Sequence, residues 1–148
     1  MNKIATIGFG KKSAERFVDL LRSAGVTTVI DTRRRPDSPL SGYARKRDLP
    51  FLLRETGGIS YEHWLELAPP DDLLQEYREL KNWSRYVDEF ETRVLATREA
   101  RDAMTRLLER DETVALLCSE PTPEKCHRRL VVERMRQIDP ALDIVHLV

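Results

Sequence analysis

Short unbroken apolar runs alternate along the chain with longer stretches whose apolar positions recur at three and four residues. That is the pattern of strands buried on both faces alternating with amphipathic helices. Ile4-Ala5-Thr6-Ile7 is the first run, and it stops at Gly8-Phe9-Gly10. Ser13 suits an N-cap for a helix with Phe17, Leu20, Leu21 and Ala24 on its apolar face, and Gly25 suits the C′ position. Val26 to Ile30 is β-branched and predicts a second strand ending at Asp31. Strand, helix and strand with short connections predict a parallel βαβ unit. Residues 32–44 read as a loop, Arg47 to Thr56 as a helix stopped by Gly57-Gly58, and 59–61 as a brief strand. Helices are predicted over 71–80, 84–96, 97–110 and 124–137, with strands over 113–117 and 143–147. The fold class that follows is α/β, a three-layer sandwich around a central, mostly parallel sheet, with 1–148 as a single domain.

Composition narrows the function classes. Apolar residues make up 41% and charged residues 34%, with Lys and Arg balancing Asp and Glu at 25 each. Zero net charge argues against wholesale attraction to duplex nucleic acid or an anionic membrane. The charge is uneven, however: Arg33-Arg34-Arg35, Arg45-Lys46-Arg47 and Arg128-Arg129 are basic clusters, and 62–91 is acidic. No apolar run approaches the ~20 residues of a membrane span. The first residues carry no signal-peptide pattern, and with only two cysteines a reducing cytoplasm is the expected location.

The candidate chemistry lies near the end of the chain. Leu116-Leu117-Cys118-Ser119-Glu120 runs from a strand into a loop, and Cys126-His127-Arg128-Arg129 opens the next helix. A parallel sheet gathers the loops at its strand carboxyl ends, where open α/β sheets bind ligands. Three loops should meet there: 8–10, 31–38 and 118–128. Cys118, Glu120, Cys126 and His127 are the candidate catalytic residues, as nucleophile or ligand and as proton carriers. Gly8, Asp31, Arg33 and Arg128 are the candidate substrate-binding residues, with the two guanidiniums suited to phosphate or carboxylate. Cys126 is expected to be the more reactive thiol, because a helix N-terminus and neighbouring cations favour the thiolate. Each residue also has a structural reading: Gly8 as a turn glycine, Arg33 as a partner of Asp31, Cys118 as an inert buried thiol. A Cys118–Cys126 disulfide is a further option.

Two templates fail. A phosphatase loop needs Arg six residues after the cysteine, and position 124 is Glu. A structural zinc site needs four ligands, and only Cys118, Cys126 and His127 cluster. No metal and no cofactor are assigned, although three ligands leave a catalytic metal open.

These residues carry a resemblance. Thr6-Ile7-Gly8, Asp31-Thr32-Arg33 with Pro36 and Ser38, Gly58-Ile59 with Tyr61, and Cys118-Ser119-Glu120 with Cys126-His127-Arg128 resemble, in order, the Domain of Unknown Function 488 family. Two departures stand out. Phe9 occupies a position often polar in that family, and Leu65-Glu66-Leu67-Ala68 replaces a Leu-Gly-Gly segment. The resemblance implies the α/β fold, a site at the Cys/Glu/His/Arg cluster and a link to nucleic-acid processing, but no named reaction. The expected function is an enzyme acting on an anionic, phosphate-bearing substrate such as a nucleotide or nucleic-acid end. The alternative is a non-catalytic module that binds an anion or nucleic acid, and the residues alone leave both open. The expected partner is thus a small anionic ligand or nucleic acid, and not a membrane.

Overall fold

The computed structural model describes residues 1–148. Its elements in chain order are β1 (Lys3–Gly8), α1 (Ala14–Ser23), β2 (Thr28–Asp31), α2 (Leu49–Gly57), β3 (Ser60–His63), α3 (Asp71–Leu80), α4 (Trp83–Phe90), α5 (Arg98–Leu108), β4 (Val114–Cys118), α6 (His127–Ile138) and β5 (Asp143–Leu147). The five strands form one parallel sheet in the order β3-β2-β4-β1-β5. Helices cover both faces, so the three-layer α/β sandwich is the architecture.

Local chemistry explains the boundaries. Ser13 caps α1 by accepting from the Arg16 N–H at 3.1 Å, and Gly25 follows at φ 74°, the left-handed conformation open to glycine. The helix anticipated over 84–96 ends at Phe90 and widens into a π turn, Glu91–Leu95, before Thr97 caps α5. The helix anticipated from 124 begins at His127. Cys126 is its extended N-cap, at φ −139° and ψ 140°. Arg129 holds the preceding turn by donating to the carbonyls of Pro123 and Glu124 at 3.2 and 2.8 Å.

The sheet order places the site. β1 and β2 are parallel but not neighbours, because each pairs with β4, which lies between them. All five β4 residues are buried, as its apolar run requires. Ala115 and Leu117 pack with Phe17 and Leu21 of α1 and with Leu49 and Leu53 of α2. Val114 and Leu116 face the opposite layer, with Phe90, Met104, Leu107 and Val131. The chain therefore leaves β1 and β2 toward one layer and β4 toward the other. Such divergence opens a crevice at the strand carboxyl ends. No helix is long and apolar enough to cross a membrane.

Candidate functional site

The loop after β1 lies flat against the loop after β4. The Phe9 and Gly10 N–H groups donate to the carbonyls of Cys118 and Ser119 at 3.3 and 2.9 Å. A β-carbon on Gly8 would overlap the Glu120 carbonyl and lie 2.8 Å from Arg128 Nη1. Glycine is needed there for the approach of the protein's own chain. The Tyr43 hydroxyl fastens the same loop, its one proton shared between the carbonyls of Phe9 and Lys12 at 3.2 and 2.9 Å.

Behind that contact lies a buried cluster of sulfur, imidazole and guanidinium. Cys118 ends β4, Cys126 caps α6, and their sulfurs are in bonding contact with Cα atoms 7.7 Å apart. Arg128 is fully buried, and no carboxylate pairs with it. Its Nη1 donates one proton to the Glu120 carbonyl at 2.7 Å and points the other at the two sulfurs, 2.8 Å from Cys118 Sγ and 3.5 Å from Cys126 Sγ. Nε and Nη2 have no partner. Burial pulls the Arg128 pKa down to about 10, so the group is still charged at neutral pH. Where the cysteines are reduced, the sulfurs are the countercharge at hand, since buried cations require one. The sequence favoured Cys126 as the more activated thiol, yet the guanidinium approaches Cys118 more closely.

His127 is held in one tautomer. Thr32 Oγ1 donates its only proton to the Leu117 carbonyl at 2.9 Å. The imidazole Nε2, 2.9 Å from the Thr32 carbonyl and 3.0 Å from Oγ1, faces acceptors only and carries the proton. Nδ1 therefore presents a lone pair, 4.0 Å from Cys126 Sγ. Burial lowers the His127 pKa to about 4, and the ring is neutral at neutral pH.

Asp31 and Arg33 form a second buried unit. Arg33 Nε and Nη2 meet the two carboxylate oxygens at 2.9 and 2.8 Å, and Nη2 also donates to the Ala44 carbonyl at 2.6 Å. The Arg33 backbone N–H and the Tyr61 hydroxyl complete the carboxylate's shell. Burial, then the Asp31 charge, drives the Tyr61 pKa far above its ordinary value, so the hydroxyl stays a donor.

A cleft of about 700 Å³ opens over both units. Cys118, Glu120, Cys126 and His127 form part of its wall, and Phe9, Tyr77, Trp83 and Tyr86 supply aromatic surface. Trp83 and Tyr86 are stacked, with centroids 5.1 Å apart and planes at 15°. Arg34 and Arg35 also line the cleft. Arg34 donates to the carbonyls of Ala68 and Pro69, and Arg35 pairs with Asp71. Arg78 and Lys125, both exposed, complete its cations.

The model of the domain of unknown function DUF488 matches residues 13–135, most of the chain. The protein belongs to the DUF488 family. No curated protein and no solved structure matches it.

In this DUF488 chain the sequence candidates divide into two groups. Arg33, Cys118, Glu120, Cys126 and His127 reach the cleft wall. Gly8, Asp31 and Arg128 stand behind that wall, where Gly8 admits the Glu120 carbonyl, Asp31 holds Arg33, and Arg128 serves the sulfurs. Arg33 has only Nη1 to offer a ligand, and that nitrogen lies 3.5 Å from Ser41 Oγ. Sequence reasoning did not single out Thr32, Tyr43 or the Trp83–Tyr86 stack. Trp83, Tyr86 and Phe90 at spacings of three and four residues were the available signal for the aromatic wall, although such spacing also describes an ordinary helix face.

Proposed function

We propose that the protein is a cytoplasmic enzyme acting on a phosphate-bearing substrate of the nucleotide or single-stranded nucleic-acid-end class, bound in the 700 Å³ cleft. One observation carries the reading. A wall of stacked aromatics, cations at the rim, and a thiol, imidazole and carboxylate set share one cavity. Aromatic faces hold bases without demanding a sequence, and unpaired cations such as Arg78 and Lys125 hold phosphates. Glu120, exposed at the wall, is the group with freedom to move a proton. A pure binding module needs only the aromatics and the cations. The reactive set at the same wall supports catalysis.

The test has two arms. Binding of a labelled single-stranded oligonucleotide and of a nucleoside monophosphate is measured at low and at ~0.15 M salt. Short phosphorylated oligonucleotides and nucleoside phosphates are then incubated with the protein, and products are read by mass spectrometry. The expected result is weak, salt-dependent binding with turnover that Glu120→Gln and Cys118→Ser abolish while binding persists. Absence of binding at low salt would exclude the substrate class. Binding without turnover would leave a binding module.

A further inference from the structure

We propose that Cys118, Cys126 and His127 are the three protein ligands of a thiophilic divalent cation of the zinc class, with a fourth position open to the cleft. The donor set is the first support, since two thiolates and one imidazole select such ions over hard ones. Distance is the second. The three donor atoms lie within 4.8 Å of one another. A tetrahedral zinc with bonds of ~2.3 Å to sulfur and ~2.0 Å to nitrogen spaces its donors by ~3.3–3.8 Å. The separation of 4.0 Å between Cys126 Sγ and His127 Nδ1 needs little adjustment, whereas the two sulfurs, in bonding contact here, must be reduced and move apart to admit the ion.

The backbone supports a shared ion over a direct bridge. The two Cα atoms are 7.7 Å apart. A disulfide usually spans ~4.4–6.8 Å between them, whereas a metal between the sulfurs accommodates the wider gap. The surroundings match those of a ligand set. The Nε2–H of His127 is anchored on the Thr32 carbonyl, which orients the Nδ1 lone pair, the arrangement found behind metal-bound histidines. Arg128 Nη1 faces both sulfurs and, in the reduced protein, stabilises them as thiolates.

Charge then specifies the fourth ligand. Two thiolates, one guanidinium and a divalent ion sum to a single positive charge, which draws hydroxide or a phosphate oxygen from the cleft. Three protein ligands with one open position is the count of catalytic zinc sites. All three residues line the cleft, so that position is accessible. The proposal concerns the ion alone and stands whether or not nucleotides are the substrate.

Reduced, metal-free protein is titrated with Co²⁺ and then with Zn²⁺. One Co²⁺ per chain should bind, with sulfur-to-metal charge-transfer and tetrahedral d–d absorption, and Zn²⁺ should displace it. Cys118→Ser, Cys126→Ser and His127→Gln should each lose the charge-transfer intensity or the tetrahedral bands. Zn²⁺ should also protect both thiols of the unmutated protein from alkylation, a readout independent of whether the variants fold. Reduced protein that gives neither Co²⁺ absorption nor thiol protection would overturn the proposal, and ready conversion to an intramolecular disulfide in that case would mark a redox pair. Cobalt uptake without nucleotide binding would keep this site and remove the function proposed above.

Discussion

Replacing Arg33 separates its role in holding the fold from a role in holding substrate. Arg33→Met leaves Asp31, which is fully buried, with the Arg33 backbone N–H and the Tyr61 hydroxyl as its only donors. Three charge-assisted hydrogen bonds are lost: two to the carboxylate and one to the Ala44 carbonyl. Removing one partner of a buried pair costs about 3–5 kcal/mol, because the remaining charge is uncompensated. At about 2–4 °C per kcal/mol for a domain of this size, the melting temperature should fall by ~6–20 °C. Asp31→Asn should cost a similar amount. The double variant should cost less than the sum, with a coupling of about 2–3 kcal/mol. Urea unfolding of the four proteins closes the cycle. Arg33→Lys is the informative control, because lysine restores the charge but not the two-pronged geometry. It should recover less than half of the lost stability. A cost under about 1 kcal/mol for Arg33→Met, or strict additivity in the double variant, would contradict a buried structural pair and return the guanidinium to the substrate.

Gly8→Ala should destabilise the protein by about 3 kcal/mol, because the new methyl overlaps the Glu120 carbonyl, a backbone atom that cannot rotate away. Unchanged urea unfolding would contradict that packing. Trp83→Ala should weaken binding of a short single strand about 5–150-fold, the loss of one stacked base at ~1–3 kcal/mol, and fluorescence anisotropy measures it. For Glu62, hydrogen bonds from Arg110 foremost and from Trp64 hold the carboxyl below its usual pKa. The folded state then binds its proton less readily than the unfolded state. The stabilisation is present at neutral pH and fades as pH falls below ~4.3. Glu62→Gln should therefore lose about 0.5–1 kcal/mol at pH 7, a partly exposed pair being screened. The difference should shrink in acid, and a pH-independent difference would contradict this origin.

Legibility in the sequence followed how local the cause was. Val114–Cys118 is apolar on both faces because both layers cover it, so a bare hydrophobic run identified it. Ser13 and Gly25 were readable because a cap involves residues only a few positions apart. The insertion of β4 between β1 and β2 was not readable, since strand order depends on pairings between residues far apart in the chain, Ile4 with Val114 and Thr28 with Val114. The start of α6 was misplaced because Pro123-Glu124 resembles a first helical turn, while the fold spends that turn on carbonyl contacts to Arg129. In the candidate site, the meeting of the three loops followed from parallel strands alone.

Arg128 illustrates where residue-by-residue reading stops. An arginine in a first helical turn, beside cysteines and after a glutamate, suggests an anion or a carboxylate as its partner. Its actual partners are two sulfurs and the Glu120 main-chain oxygen. Only packing could decide this. With glycine at position 8, the chain after β1 lies close enough to press the Glu120 carbonyl toward the guanidinium. With Cys126 extended at the helix cap, its sulfur turns back to the Cys118 sulfur at the end of β4. A buried guanidinium with two free nitrogens and no carboxylate is costly unless negative charge lies beside it. Its position therefore favours thiolates whenever the Cys118–Cys126 contact is reduced, and two thiolates beside a neutral imidazole form a site for a soft cation. On this reasoning the arginine acts on chemistry in the cleft through the sulfurs, from behind a wall it never reaches.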